Sequence, residues 1–216
     1  TNKTDYVIRA IYKSADIYIA SKQYQQAIVK YEMLYERAQR EKEMVMALTG
    51  LTKSYYELKD YEKAESYAVN LVASNYANEN TINEAKLYQA KSDMNRGKYN
   101  LAKPVLDDLV ASTTDEFGAE ANYLIALKMY DDKLYKESKD ELYLMNKRYG
   151  TFDLWLGKSF VLIAKNLILL DEIFQAKATL NSVINNSPIE EVVSEAKEVL
   201  ATLEVIVEEE KAEIEK

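Results

Sequence analysis

The sequence predicts an all-α protein, a right-handed α-solenoid of five helix hairpins followed by a capping helix. Three observations predict this fold. A short element recurs along the chain at a nearly constant step, which is typical of stacked repeats. The residues between these elements show helical apolar spacing. Finally, the chain of 216 residues contains only 5 Gly and 2 Pro, which leaves little material for the turns of a β-protein.

The recurring element is a large residue followed three positions later by a small one. Successive copies are separated by steps of 37, 38, 36 and 38 residues. Each copy continues with a second pair of core positions, seven and ten residues after the large residue. The five copies are Tyr24/Ala27, Tyr61/Ala64, Tyr99/Ala102, Tyr135/Ser138 and Ile173/Ala176. A repeat of this length corresponds to one helix hairpin.

The first hairpin shows how each repeat is built. Apolar residues at helical spacing run over 5–20 and 24–38, and the polar stretch 21–23 separates them. Helices joined by so short a link pack antiparallel. Neither helix is stable alone at this length, so each depends on its neighbours. Polar breaks at equivalent places predict four further hairpins, with turns at 59–60, 96–98, 131–133 and 170–172.

These breaks predict a single array over residues 1–216. Its repeats span about 5–40, 41–77, 78–114, 115–150 and 151–187, with a capping helix at 188–214. Ser187 is expected to cap this last helix, with Pro188 at its first position. The helix carries an apolar stripe that ends with Ile206 and Val207, and residues 204–216 are strongly acidic. Such a helix is typical of the terminal cap of a solenoid.

Three residues mark helix ends or irregularities. Gly97 and Gly150 are expected to end helices in the left-handed conformation, which glycine adopts without a Cβ clash. Pro104 is expected in the first turn of the sixth helix, where proline costs little stability.

Composition argues against several function classes. The net charge of −8 and pI near 4.9 disfavour a nucleic-acid binder, which needs a basic face. No run of about 18 apolar residues occurs, so we expect no membrane insertion. Because the chain has no Cys and no His, thiol catalysis and zinc–thiolate sites are excluded and the commonest general base is absent. We expect no cofactor and no metal.

Small residues in three columns of the repeats resemble the pattern of the tetratricopeptide repeat (TPR) family. The three columns are Ala10, Ala47, Ala85, Ala121 and Ser159; Ala15, Thr52, Ala90, Ala126 and Ala164; and Ala27, Ala64, Ala102, Ser138 and Ala176. Small side chains let neighbouring helices approach closely. The resemblance covers about residues 5–188, although Lys86 and Asp93 occupy normally apolar columns of the third repeat. It implies a non-catalytic protein-interaction scaffold, whose first helices line a concave groove for a peptide or protein.

The groove columns of the family fall here on aromatic, methionine, leucine and lysine residues, a mixture that suits a peptide partner. The residues expected to line the partner-binding groove are Tyr12, Met46, Lys53, Tyr56, Leu87, Lys91, Met94, Tyr123, Leu127, Tyr130 and Lys165. The same columns contain Arg9, Asp16, Ile19 and Thr49. Packing between adjacent first helices is the alternative role for each of them.

Three lysines, Lys53, Lys91 and Lys165, share one of these columns. They indicate either a cationic ladder for an acidic peptide or a solvated surface that balances Glu84 and Glu120. Some TPR proteins hold a chaperone's terminal carboxylate through Lys and Asn at set columns. This chain has Tyr12, Asp16, Gly50, Glu84 and Tyr88 at those columns, so that clamp is absent.

Two other function classes stay open. Exposed tyrosine faces can stack on sugars, and the family resemblance extends to bacterial glycan-uptake proteins that contain TPR elements. The alternative is therefore a carbohydrate-binding component of a bacterial glycan-uptake or envelope assembly, although Trp155 alone does not favour it. Glu84 and Glu120 occupy equivalent columns, and paired carboxylates hydrolyse glycosides. No catalytic motif accompanies them, so we expect a scaffold and not an enzyme.

The cellular location and the assembly state of the chain are expected only from its resemblance to other TPR proteins. Residues 119–188 resemble parts of large bacterial envelope TPR proteins, which favours a bacterial envelope or periplasm over the cytoplasm. Thr1 in place of an initiator Met indicates a piece of a longer protein. Self-association through terminal repeats is possible for such a piece, and the acidic stretch 208–210 is expected to be solvated.

Overall fold

The structure, a computed structural model, describes the backbone of residues 2–214 and the side chains of residues 5–205. Within these residues the chain forms helices and no strand, which confirms the all-α prediction. The helices are α1 (Asn2–Ala20), α2 (Tyr24–Arg37), α3 (Glu41–Glu57), α4 (Tyr61–Val72), α5 (Glu79–Asn95), α6 (Tyr99–Ser112), α7 (Glu116–Asp131), α8 (Tyr135–Tyr149), α9 (Asp153–Leu169), α10 (Ile173–Asn186) and α11 (Glu190–Ile214).

The chain divides into two compact units, unit 1 (Thr1–Leu109) and unit 2 (Val110–Lys216). In unit 1, α1 packs on α2, α2 on α3, α3 on α4 and α4 on α5, and α1 also contacts α3, as α3 contacts α5. In unit 2, α7 to α11 follow the same rule, and α7 contacts α9, as α9 contacts α11. Each unit is therefore a stack of helix hairpins in which the first helices lie side by side.

Every hairpin turns through the same backbone motif. At the end of α1, the Lys22 N–H donates to the carbonyl of Ile19 at 2.9 Å, and the Gln23 N–H donates to the carbonyl of Tyr18 at 2.8 Å. This pair of bonds is the Schellman motif, which requires a left-handed residue just after the helix. The left-handed residues of the five turns are Lys22, Lys59, Gly97, Lys133 and Asp171. Their spacing reproduces the step of the sequence repeat.

Substitution by glycine is expected to stabilise those turns in which a residue other than glycine adopts the left-handed conformation. Lys133 has φ 63° and an exposed side chain, so Lys133→Gly relieves the Cβ clash without removing a packed group. We expect a gain of about 0.5–1 kcal/mol in the free energy of unfolding, measured by denaturant titration. The reverse change at the one glycine turn, Gly97→Ala, is expected to cost about 1 kcal/mol. A gain from Gly97→Ala would contradict the turn assignment.

The small-residue columns lie where neighbouring helices meet. Every member is buried except Ala10; Ala47, Ala64 and Ala126, for example, are 0% exposed. Ala10, which belongs to the first hairpin, is exposed. These columns permit the close approach that the stack requires.

Lys86 and Asp93, the two charged residues in normally apolar columns of the third repeat, have different environments. The Lys86 ammonium on α5 pairs with Asp108 of α6 at 2.7 Å, so it holds the hairpin together. Asp93 is buried, and burial raises the pKa of its carboxyl against the opposing effect of Arg96 and Lys98.

Two of the predicted helix-end features are wrong. Gly150 has φ −65°, not a left-handed value; its lack of a side chain serves a close approach instead, because a Cβ there would lie 2.6 Å from the Asn146 carbonyl oxygen. Pro104 lies in the second turn of α6, where it removes the N–H that would bond the Asn100 carbonyl. Both Pro104 and Asn100 are exposed, so water can satisfy that carbonyl.

The terminal helix begins later than predicted. It starts at Glu190, and Pro188 precedes it, while the Ser187 hydroxyl accepts a hydrogen bond from the Ile189 N–H at 3.3 Å. On its inner side Val192, Ala196 and Leu203 are buried. The side chains of Ile206, Val207 and the acidic residues 208–216 lie outside the described residues. None of the described helices combines the length and apolarity needed to cross a bilayer.

Candidate partner-binding groove

Two adjoining cavities in unit 1 lie along α1 and α3. The first has a volume of about 540 Å³ and is also bounded by Tyr31 and by the loop between α4 and α5. The second has a volume of about 460 Å³ and lies toward the start of α3. Tyr12, Asp16, Lys42 and Met46 line both. We name the two cavities together the α1/α3 groove; each lies in the size range of ligand sites.

The floor of the groove depends on a contact between Gly50 and Tyr31. A Cβ at Gly50 would lie 2.2 Å from the Tyr31 Cζ atom, so the tyrosine ring occupies the space that a side chain would fill. Tyr31 is 2% exposed, and its hydroxyl donates to the Asp16 carboxylate at 2.6 Å. Burial and this hydrogen bond raise the pKa of Tyr31. The hydrogen bond from Tyr31 thereby fixes the Asp16 carboxylate to α2.

One end of the groove is fixed by a buried carboxylate. Glu43 accepts a hydrogen bond from Arg40 Nε at 2.7 Å and others from the backbone N–H groups of Gln39 and Arg40. Burial opposes ionisation of Glu43, yet these hydrogen bonds lower its pKa. Arg40 also pairs with Asp5 at 3.0 Å, which ties the start of α3 to α1.

Three of the predicted groove residues line the α1/α3 groove. Tyr12 lies edge-on to Tyr31, with ring centroids 6.4 Å apart, and burial raises its pKa. Met46 is half-buried between the two cavities. Lys53 lines the larger cavity, and its ammonium pairs with Glu84 of α5 at 2.7 Å.

The other predicted residues of unit 1 lie outside this lining. Tyr56 packs edge-on against Tyr88 at 5.1 Å between centroids, and the Lys91 ammonium lies 5.2 Å from the Tyr56 ring centre. Met94 is half-buried on α5. Leu87 is 5% exposed and therefore offers almost no surface to a partner.

In unit 2 the predicted residues pack along α7 and α9. Tyr123 contacts Trp155 with centroids 5.6 Å apart, and burial raises the pKa of Tyr123. Tyr130 contacts Tyr135 at 5.6 Å, and Leu127 packs beside it on the core of unit 2. The residue that ends the series, Lys165, pairs with Glu195 of α11 at 2.6 Å.

These ion pairs bear on the lysine column and on the candidate acid pair. Lys53 pairs with a glutamate of the next first helix, and Lys165 pairs with one of the terminal helix α11, which favours charge balance over a cationic ladder. Glu84 is the partner of Lys53, and Glu120 belongs to the other unit. The described residues contain no cluster of acidic side chains placed to hold a metal ion.

Sequence reasoning missed the part of the groove that a loop supplies. Tyr76 and Asn78 line the larger cavity from the loop between α4 and α5, and Tyr76 is 63% exposed. Lys42 lines both cavities from the first turn of α3. The family columns describe the middle of the first helices, so they contain none of these residues. The repeat step, longer than the usual 34 residues, was the available signal of an extended loop.

Comparison with known proteins finds similarity to tetratricopeptide-repeat proteins. Residues 9–39, which include α2 and most of α1, match the family model for the tetratricopeptide repeat. The structure of YrrB, described as a TPR protein with an unusual peptide-binding site, is similar to this chain with a TM-score of 0.57. The two are 13% identical, and the match covers 91% of this chain and 98% of that one.

A second solved structure, a putative protein binding protein from Bacteroides ovatus, matches at 16% identity with a TM-score of 0.41. That match covers 93% of this chain and 98% of the other. No curated protein shows a significant match to the sequence. Residues 9–39 thus resemble a tetratricopeptide repeat, and the similarity to YrrB shows that the chain has the fold of a TPR protein.

Proposed function

We propose that the chain is a non-catalytic interaction scaffold that binds a peptide or protein partner in the groove lined by its first helices, with the α1/α3 groove as the principal site. The observation that carries the proposal is the groove itself. Its lining contains Tyr12, Met46 and Tyr76, large side chains that are half-buried or exposed. Both residue types are enriched at peptide-binding surfaces: tyrosine offers a rigid ring, and methionine offers a flexible side chain that adapts to the ligand.

The TPR fold and the peptide-binding site of the similar protein YrrB support a role in protein interaction. The remaining predicted residues belong to the proposal in two ways. Tyr56, Lys91 and Met94 are candidates to extend the partner surface along α5. On α7 and α9, Tyr123, Leu127, Tyr130 and Lys165 stay candidates for a contact surface of unit 2.

Trp155, the one tryptophan of the chain, offers no open platform for a sugar. Trp155 is half-buried, contacts Tyr123, and has the Lys158 ammonium 5.4 Å from its ring centre. A sugar platform needs an open aromatic face, and these contacts occupy Trp155.

Site-specific photo-cross-linking tests the proposal. A photoreactive amino acid at Thr49, which lines the larger cavity, is expected to capture a partner from a lysate of the organism that encodes the chain. The matched control carries the same group at Val29, which is 49% exposed on α2 and outside the groove lining. A Met46→Glu substitution is expected to abolish capture at Thr49, because it places a charge among the apolar contacts.

The control decides how the result is interpreted. Capture by the photoreactive group at position 49, together with its loss in the Met46→Glu variant, supports the groove as the binding surface. Equal capture from Val29, or capture unchanged by Met46→Glu, would place the partner elsewhere and contradict the proposal. Circular dichroism of each variant checks that the helices are retained.

A further inference from the structure

The α1/α3 groove contains cations that no acid of the described chain neutralises. Arg9 and Lys13 on α1 and Lys42 on α3 line the cavity of about 460 Å³. None of the three forms an ion pair with a described residue, whereas Arg40 beside them pairs with both Asp5 and Glu43.

The two carboxylates in the same lining are already engaged within the protein. Asp16 accepts the Tyr31 hydroxyl at 2.6 Å. Glu43 is buried and accepts hydrogen bonds from Arg40 and from two backbone N–H groups. The smaller cavity is lined by four cations, Arg9, Lys13, Arg40 and Lys42, and by these two carboxylates. The charge that it offers to a partner is therefore positive, although the net charge of the chain is −8.

Apolar surface lies next to these cations. Tyr12 and Met46 line the same cavity and are half-buried, so each keeps part of its side chain open to the groove. Burying an apolar side chain against them supplies affinity, and charge pairing at the rim supplies orientation and association rate.

We propose that the α1/α3 groove binds an acidic peptide segment, with Asp or Glu side chains against Arg9, Lys13 and Lys42 and an apolar side chain against Tyr12 and Met46. This rests on the proposed function and names the chemistry of its partner. The negative charge elsewhere on the chain repels such a segment, so long-range electrostatics direct it to this cavity. Lys53, from the lysine column, is not part of this site because Glu84 neutralises it.

A panel of three labelled peptides tests this proposal. The peptides share one length and one pattern of Leu and Tyr, and their variable positions are all Glu, all Gln or all Lys. Fluorescence anisotropy with the full chain is expected to show the Glu peptide binding about tenfold more tightly than the Gln peptide, with the Lys peptide weakest. Raising the salt to about 1 M, where the Debye length is about 3 Å, is expected to remove most of that preference.

Two double variants with matched charge changes test whether the cations of the groove bind the Glu peptide. Arg9→Gln with Lys42→Gln removes one Arg and one Lys from the groove, and the Glu peptide is expected to bind about fivefold to tenfold more weakly. Arg37→Gln with Lys22→Gln removes the same charges from exposed positions outside the groove lining, and binding is expected to change less than about twofold. Thermal unfolding of both variants confirms that they are folded.

Each outcome bears on the proposal. Preference for the Glu peptide that disappears in the groove variant and persists in the control supports it. Equal binding of the three peptides, a preference unchanged by Arg9→Gln with Lys42→Gln, or tighter binding of a single-stranded oligonucleotide overturns it. The two proposals fail separately. If a cross-linker at Thr49 captures a partner, Met46→Glu abolishes that capture and the Glu peptide shows no preference, then the proposed function stands and the acidic-peptide proposal is overturned.

Discussion

Replacing Leu34 by alanine is expected to lower the free energy of unfolding by about 2–5 kcal/mol. Leu34 lies on α2, is 0% exposed, and packs in the core of unit 1 with Ala47, Leu51 and Tyr31. Its removal takes away apolar contacts and leaves a cavity that the rigid small-residue seams cannot close. Denaturant titration followed by circular dichroism measures the loss.

The control for this change lies on the same helix. Val29 is 49% exposed, so Val29→Ala removes side-chain atoms without opening a core cavity, and we expect a change within about 0.5 kcal/mol. Both variants alter helix propensity in the same direction. Equal losses in the two variants would mean that Leu34 is not part of a packed core.

The methyl group that Gly50→Ala adds is expected to overpack the site, which alone costs unit 1 about 1–3 kcal/mol in the free energy of unfolding. The Cβ would lie 2.2 Å from Tyr31 Cζ and 2.3 Å from Cε2. The ring is buried and its hydroxyl is hydrogen-bonded to Asp16, so moving it costs packing and the hydrogen bond together. This loss is opposed by the better helix propensity of alanine, about 1 kcal/mol, and the measured change in unfolding free energy is the difference.

A double-mutant cycle separates these two effects. In a Tyr31→Ala background the clash is absent, so Gly50→Ala is expected to stabilise the protein, by up to about 1 kcal/mol. A change of sign between the two backgrounds identifies the Tyr31 ring as the reason for glycine at this position. Stabilisation in both backgrounds would show that the ring yields to the methyl group without cost.

The positions of the hairpins followed from the sequence because local chemistry determines them. The turn at 21–23 is polar and lies between two runs of helical spacing, and the structure ends α1 at Ala20 and begins α2 at Tyr24. The alanine columns predicted which side chains lie at the seams, since a larger residue would prevent the helices from approaching. Gly97 adopts the left-handed conformation that its place after a helix predicts.

The features that were missed depend on tertiary context. Nothing local distinguishes Leu87, which faces the core, from Met46, which lines the groove. Tyr76 reaches the groove from an irregular loop whose path no periodicity describes. Gly150 is a separate case: its left-handed conformation was predicted from its place after Tyr149, whereas the contact that excludes a Cβ there is a local one with the Asn146 carbonyl, four residues earlier.

The candidate site was predicted in part. The family columns supplied Tyr12, Met46 and Lys53, but they cannot report which charges remain unpaired after folding. Lys53 came from a column of three lysines, and the structure neutralises it with Glu84. Lys42 was not in any column, yet it lines both cavities without an ion pair among the described residues. Charge pairing between repeats is a property of the fold, not of one repeat.

Methyl NMR of the methionines tests the central claim, that the α1/α3 groove is the binding surface, most directly. The chain has 6 Met; Met46 lines the groove, Met33 lies on α2, and Met145 is 1% exposed in the core of unit 2. On titration with the partner captured through Thr49, the Met46 methyl resonance is predicted to shift most, while those of Met33 and Met145 stay close to their free positions. A spectrum in which Met46 is unmoved and Met33 shifts would contradict the account.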